Sequence, residues 1–453
     1  MEQHSITNLE TREQQPVLPQ LASVVFGSIP ILISLYATKY LEEDKKRTLD
    51  ELERDLNLPR ITNYDFIVVG SGSAGSVIAS RLSEEYSVLL LEAGGQPVPA
   101  SQVPHFIEYV ESDPGTNYFW PSLPQRHASQ DTGGIIICHL GKMLGGSGSH
   151  NDMRHIREVQ KTMIITLVSS TTLAGAIPVC SNNYGHNGLI TVDTDTPPIL
   201  PIWFDLAGEL GFPIADPNGH QTESFTPLCK AMKRGQRSSS YNEMIKPYMN
   251  SRENLTVHQY SVATQRQKAY GILYERHGIP QIAHASKEIV ISSGIFSSPL
   301  LLMKSGVGPR DQLEEAGIPV KHELPSVGQN LGDHLMFTLR NIQYNDSIKP
   351  FIPTMPEEME FEKMLKSYHE NGEGFISNPI VGPQAFVVSS RAMQDGEGDW
   401  PDFQVVFHPS CPNRDDDDAN SSKINSCIHL FLTRTKSRGS LRLNTTVYKH
   451  DGV

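Results

Sequence analysis

The stretch from Tyr64 to Gly95, YDFIVVGSGSAGSVIASRLSEEYSVLLLEAGG, constrains the fold of this chain more than any other. Phe66 to Val69 is a short apolar run, Ala74 to Leu82 has helical spacing, and Val88 to Leu91 is a second apolar run of strand length. That order predicts a βαβ unit. Between the first strand and the helix stand Gly70, Gly72 and Gly75 in a G-x-G-x-x-G pattern. The first permits a tight turn, the second lets the main chain approach a pyrophosphate, and the third lets the helix pack closely on the strand. A helix opened by Ser73 and Ala74 then faces the phosphates with free N–H groups and a partial positive charge. Glu92, followed by Ala93, ends the second strand twenty-two positions after Gly70. A carboxylate at that place accepts hydrogen bonds from both ribose hydroxyls. The triplet alone is weak evidence; strand, triplet, helix, strand and acid in one window read as a dinucleotide site.

The rest of the chain bounds the setting. Its 453 residues suffice for two or three domains. The net charge of −13 argues against a general nucleic-acid binder, because phosphate is repelled on average. Five cysteines, Cys138, Cys180, Cys229, Cys411 and Cys427, show neither C-x-x-C nor zinc spacing and suggest no disulfide framework. Leu21 to Ala37 is seventeen residues without a charge, interrupted by Pro30 and followed by Lys39 and Lys45 to Arg47. It is short for a membrane span and reads as a signal-peptide core or signal anchor, which makes the protein secreted or anchored in the secretory pathway. Sequons at Asn254, Asn345, Asn420 and Asn444 agree weakly with that route. Met163 to Cys180 is another uncharged run, rich in β-branched residues, and reads as buried strand.

Three further motifs carry a family resemblance. GKMLGGSGSHNDM (Gly141 to Met153) resembles the first signature of the glucose–methanol–choline oxidoreductases, and SSGIFSSPLLLMKSGVGP (Ser292 to Pro309) resembles the second. LPSVGQNLGDH (Leu324 to His334) resembles the block that follows, and the overall texture is similar to the insect branch labelled glucose dehydrogenase. The resemblance implies FAD as cofactor. It implies an α/β fold: a Rossmann-like FAD-binding domain plus a partial antiparallel-sheet α+β substrate domain. Residues 1–59 form a leader and linker, 60–336 the FAD-binding region with an irregular insertion at 155–250, and 337–453 part of the substrate domain. Strands are expected around Phe386 to Ser390, Phe403 to Phe407, Ile428 to Leu432 and Ser440 to Leu443, and a helix over 356–370.

Roles follow by matching position. Lys142, Met143, Gly145 and Gly146 pass beside the flavin, Asn151 lies near its ring system, and the main chain of Val262 holds the adenine. Residues 294–299 pack a loop and helix start against the cofactor. No metal is implied. The activity implied is oxidation of a CH–OH group in an alcohol or sugar, with hydride passing to flavin N5 and electrons leaving to a quinone or to oxygen.

Departures from the family pattern matter as much. Asp152 stands where a glycine is common, adding a charge beside the expected flavin, and Ile295 replaces a small residue, so packing there must adjust. After Arg157 the sequence diverges from the family. The family's general base is the histidine of an H-P-x-G motif; none of the seventeen histidines here sits in one, and His408-Pro409 is followed by Ser410. No catalytic residue is therefore assigned, and turnover is expected to be impaired. Two other readings stay open: a non-catalytic FAD-binding or interaction protein, and an incomplete gene model of a full dehydrogenase.

Overall fold

The structure is a computed structural model. It describes residues 60–156, 168–170, 188–216, 222–268, 271–342, 347–352, 358–377, 382–409 and 426–444, with scattered positions in 39–56. Two compact units separate, residues 1–57 with 355–366 and residues 58–354 with 367–453. The two sheets below belong to the second.

The first sheet is built around β1 (Ile61–Val69), α1 (Ser73–Leu82) and β2 (Val88–Leu91). Four later strands join them: β3 (Leu255–His258), β4 (Ser261–Lys268), β5 (Gly271–Arg276) and β6 (Ile279–Ile291). Their order is β3-β2-β1-β6-β5-β4. The first four are mutually parallel; β6, β5 and β4 form an antiparallel meander on one side. Both faces of the parallel part are covered, which is why β2 is apolar at every position. Ile67, Val69, Leu89 and Leu91 point to one face and pack with Ile272, Tyr274 and Leu301. Val68, Val88 and Leu90 point to the other, against Ala79 of α1, Leu144 and Ile245. The Rossmann-like expectation holds, and α2 (Gly294–Lys304) follows β6 directly.

The second sheet contains β7 (Leu335–Ile342), β8 (Gln384–Val387), β9 (Phe403–His408) and β10 (Ser426–Leu432). It is antiparallel throughout, in the order β7-β10-β9-β8, and is completed by a short strand, Ser224–Thr226. One face packs on the helix Leu200–Leu210 through Trp203, Phe225, Ala385 and Phe407. The Trp203 Nε1–H donates to the Gln384 carbonyl at 2.9 Å, tying that helix to β8.

Several boundaries differ from the sequence reading. Ser440 to Leu443 forms no strand; the nearest ladder contact is a single bridge between Leu331 and Gly439. The strand at Phe386 stops before Ser389, because that hydroxyl accepts from Ala392 N and caps a short helix instead. The helix expected over 356–370 runs Glu358–Asn371. Of the run 163–180 only Val168–Ser170 is described, a strand parallel to Ile190–Val192. Cys427 is disulfide-bonded, against the expectation of no disulfide framework, and its partner lies outside the described residues. Leu21 to Ala37 also lies outside them; among the described residues no helix is long and apolar enough to cross a membrane. Among the described strands β7 is the edge of the second sheet, and its Met336, Phe337 and Leu339 are 52, 54 and 52% exposed.

Candidate functional site

The glycine turn sits between β1 and α1, as the sequence requires. Gly70 has φ +96°, which L-residues avoid, and a Cβ there would meet the Ser292 carbonyl oxygen at 2.5 Å. Gly75 allows the helix to touch the turn: a Cβ on it would lie 1.9 Å from the Gly70 carbonyl oxygen. Gly72 is different, for a Cβ there would meet nothing within 4 Å. It opens α1 without any side-chain cap, and the first turn carries no acid. Free N–H groups at an uncapped helix start seek an anion. Ser73 and Ala74 are exposed beside them.

Glu92 lies under this turn and is buried. Its Oε2 accepts from Ser71 N at 3.0 Å and from the Ser71 hydroxyl at 2.6 Å, and its Oε1 accepts from Gly94 N at 2.9 Å. Burial raises its pKa, opposed by these donors. A carboxylate offers about four acceptor sites. Oε1 takes only one of these three donors and is the oxygen with acceptor capacity left for the ribose. Ala93 follows, half-buried.

The segment Gly141 to Asn151 is laid against the same turn by main-chain bonds. Lys142 N donates to the Thr116 carbonyl at 2.7 Å, Leu144 N to Gly95 at 2.9 Å, and Gly145 N to Ser71 at 2.9 Å. Met143 is fully buried behind it. A Cβ on Gly146 would touch Gly72 Cα at 2.9 Å, so the two glycines let two backbones meet. Lys142 Nζ lies over the Tyr118 ring, 5.4 Å from its centroid. Gly72, Ser73, Ala74, Gly146, Ser147 and Asn151 thus form an open strip, each half or fully exposed, backed by buried Ser71, Gly75, Met143 and Gly145. Val262 lies on β4, 49% exposed, next to Ser261, whose N–H donates to the Glu92 carbonyl at 2.7 Å. All thirteen residues singled out in the sequence therefore belong to one neighbourhood.

Four contributors were not foreseen. Ser71 is the unspecified residue inside the glycine pattern and holds Glu92. Ser292 donates to the Val69 and Gly70 carbonyls at 3.1 and 3.0 Å, locking the start of α2 to the turn. Arg237 reaches Asn151 from a distant hairpin. His150 is buried with neither ring nitrogen hydrogen-bonded among the described residues, and burial, with Arg237 and His139 nearby, brings its pKa down to about 4. Of the two departures noted in the sequence, Asp152 pairs with Arg154 at 2.9 Å, and Ile295 at the start of α2 is 54% exposed.

An FAD-type dinucleotide fits these residues: an uncapped helix start, a glycine whose missing Cβ leaves open space, and a buried acid one strand away. Among the described residues no cluster could hold a metal ion.

Comparison with known proteins points the same way. The sequence profile of the family described as GMC oxidoreductase matches residues 64–336. The chain is 29% identical over 421 residues to an oxygen-dependent choline dehydrogenase of Chromohalobacter salexigens, covering 86% of this chain and 72% of that protein. A choline dehydrogenase of the same description from Burkholderia lata is 31% identical, with 84 and 70% covered. Among solved structures, a formate oxidase superposes with a TM-score of 0.72 at 21% identity, over 85% of this chain and 76% of that one.

Proposed function

Because the chain belongs to the GMC oxidoreductase family, we propose that its donors are the CH–OH groups of neutral alcohols or sugars, oxidised with FAD as cofactor. The observation that carries this reading is the uncapped start of α1 at Gly72, open on the side where Glu92 and the 141–151 segment converge. Gly72, Ser73, Ala74 and Gly75 would receive the pyrophosphate, Glu92 a ribose hydroxyl, Val262 the adenine, and Lys142 to Gly146 with Asn151 the flavin. FAD supplies the hydride acceptor; the chain binds, orients and excludes water. A quinone or oxygen would take the electrons.

Three residues after Asn151, the Arg154 guanidinium lies over the Phe431 ring of β10 in the second sheet, 5.4 Å from its centroid. A quaternary ammonium would need such an aromatic face for itself. Here a guanidinium already covers it, which favours a neutral donor over choline, the substrate in the relatives' names.

Proton removal from the donor needs a base. His429 faces Arg154 from β10, its Nδ1 3.0 Å from the Thr338 hydroxyl and its ring packed edge-on against His408 at 5.0 Å. Burial, then His408, Arg154 and Arg340, hold its pKa down to about 4. A base works best with a pKa near the working pH, and a well-placed one contributes roughly 10²–10⁴-fold. His429 is thus a weak base at neutral pH, in keeping with the reading that turnover by residues 1–453 is slow; the second reading is an FAD-binding protein that does not catalyse.

Purified residues 1–453 should carry flavin, seen in the visible spectrum. Under anaerobic conditions glucose or a simple alcohol should bleach it slowly, and choline more slowly still. Protein without flavin would overturn the reading. Fastest bleaching by choline would remove the substrate class, and rapid bleaching by any donor would remove the impairment.

The uncharged run 21–37 and the exposed sequon residue Asn254, just before β3, support a secreted or membrane-anchored product of the secretory route. In eukaryotic cells the protein should reach the medium or a membrane fraction with a mass that falls on endoglycosidase treatment. Recovery from the cytosol without glycan would sink that assignment.

A further inference from the structure

Arg237 is 3% exposed, and its guanidinium meets only neutral acceptors. Nε donates to the Ser101 carbonyl at 2.7 Å. Nη1 donates to the Gly148 carbonyl at 3.1 Å and to Asn151 Oδ1 at 2.7 Å, and Nη2 donates to the Asn151 main-chain carbonyl at 2.7 Å. Asn151 Oδ1 also accepts from Met153 N at 3.1 Å. Both of these partners can only donate, so the atom facing them must be the amide oxygen. The Asn151 amide therefore has one permitted orientation. Its Nδ2 is turned away from Arg237, and it has no acceptor among the described residues. Asn151 is exposed, whereas Arg237 is buried behind it. Asn151 N donates to the Ser147 carbonyl at 3.0 Å, so this residue with its free N–H₂ group closes the exposed segment that begins at Gly146.

We propose that Arg237 is a positioning residue for the cofactor: it locks Asn151 so that Nδ2 is a fixed hydrogen-bond donor to the bound flavin. The inference rests on the flavin site argued above. A donor held in place before the cofactor arrives needs no reorganisation, and one aimed at a group that gains negative charge on reduction favours the reduced form. Arg237 exerts this effect through Asn151, touching neither substrate nor cofactor. A lysine at 237 retains the positive charge but lacks the planar fork that holds Oδ1 and the main-chain oxygen together.

The test is the midpoint potential of the bound flavin, measured by anaerobic dye-coupled reduction. Arg237→Lys should lower the equilibrium constant for two-electron reduction at least tenfold, a shift of about 30 mV. Asn151→Ala should lower it as much, and the double variant should add less than half of the second loss. Additive losses, or a wild-type potential in Arg237→Lys, would overturn the proposal. Should Arg237→Lys fail to fold, Asn151→Ala still decides, because it leaves Arg237 its bonds to Ser101, Gly148 and the main chain; an unmoved potential there overturns the proposal alone. Unsubstituted protein lacking flavin would overturn it together with the cofactor site, whereas flavin present at an unmoved potential would overturn only the role of Arg237.

Discussion

Gly72→Val should give a folded protein that has lost its flavin. The residue has φ −60° and ψ −171°, an extended conformation that valine adopts freely. A Cβ at this place meets no atom of the surrounding elements within 4 Å, so the side chain starts in open space. The branched side chain would instead fill the space in front of the first N–H groups of α1, where a pyrophosphate must come close. Flavin occupancy, read from the ratio of visible to ultraviolet absorbance, should drop at least tenfold, which corresponds to about 1.4 kcal/mol or more of lost binding. Thermal unfolding of flavin-free protein should move little, since a substitution that touches nothing usually stays within about 0.5 kcal/mol. Wild-type flavin content in this variant would remove the cofactor from the turn.

Gly75→Ala should do the opposite and damage the fold itself. Two effects compete. Alanine is the better helix former by about 0.8–1.0 kcal/mol. Against that, its Cβ would stand 1.9 Å from the Gly70 carbonyl oxygen, 2.6 Å from Ser292 Oγ and 3.0 Å from the Gly70 carbonyl carbon. Two of these are backbone atoms of the turn, and they cannot swing aside. Relief requires α1 to move off β1, which pulls Ala79 from its packing with Val68, Val88 and Leu90. Overpacking of this kind costs about 1–3 kcal/mol, sometimes more, so the overlap outweighs the helical gain. The variant should melt at a lower temperature than the parent, with and without flavin. An unchanged or raised melting temperature would mean that the glycine does not set the distance between helix and strand.

The two substitutions lie three residues apart in one motif, and their different outcomes show what the sequence made legible. β1, α1 and β2 were readable because period and turn chemistry are local properties. The 141–151 segment was legible through its resemblance to a family signature, and its glycines are consistent with the close backbone approach seen there. Arg237 was not: nothing around Gln236 and Arg237 signals that the side chain crosses to Asn151, 86 positions away. Ser292 opens a recognisable motif, yet its bonds to Val69 and Gly70 depend on the β1–β6 pairing, which no local pattern announces. Glu92 was placed correctly, but its use of Ser71 and Gly94 as donors is a matter of side-chain geometry. Ser440 to Leu443 alternates like a strand and is not one, because strand formation needs a neighbour with a free edge in the right place.

The link between Ser292 and Val69 also governs when the site can exist. These residues are 223 positions apart. Chains emerge from the ribosome at about 5–20 residues per second, so β1 waits roughly ten to forty-five seconds for its neighbour β6. During that interval one flank of the apolar run Ile67 to Val69 has no strand beside it, and the Gly70 turn lacks the serine that closes it. Such intermediates invite wrong pairing and chaperone capture. FAD therefore meets its cradle only late in synthesis; it stabilises the finished domain by mass action and cannot nucleate it.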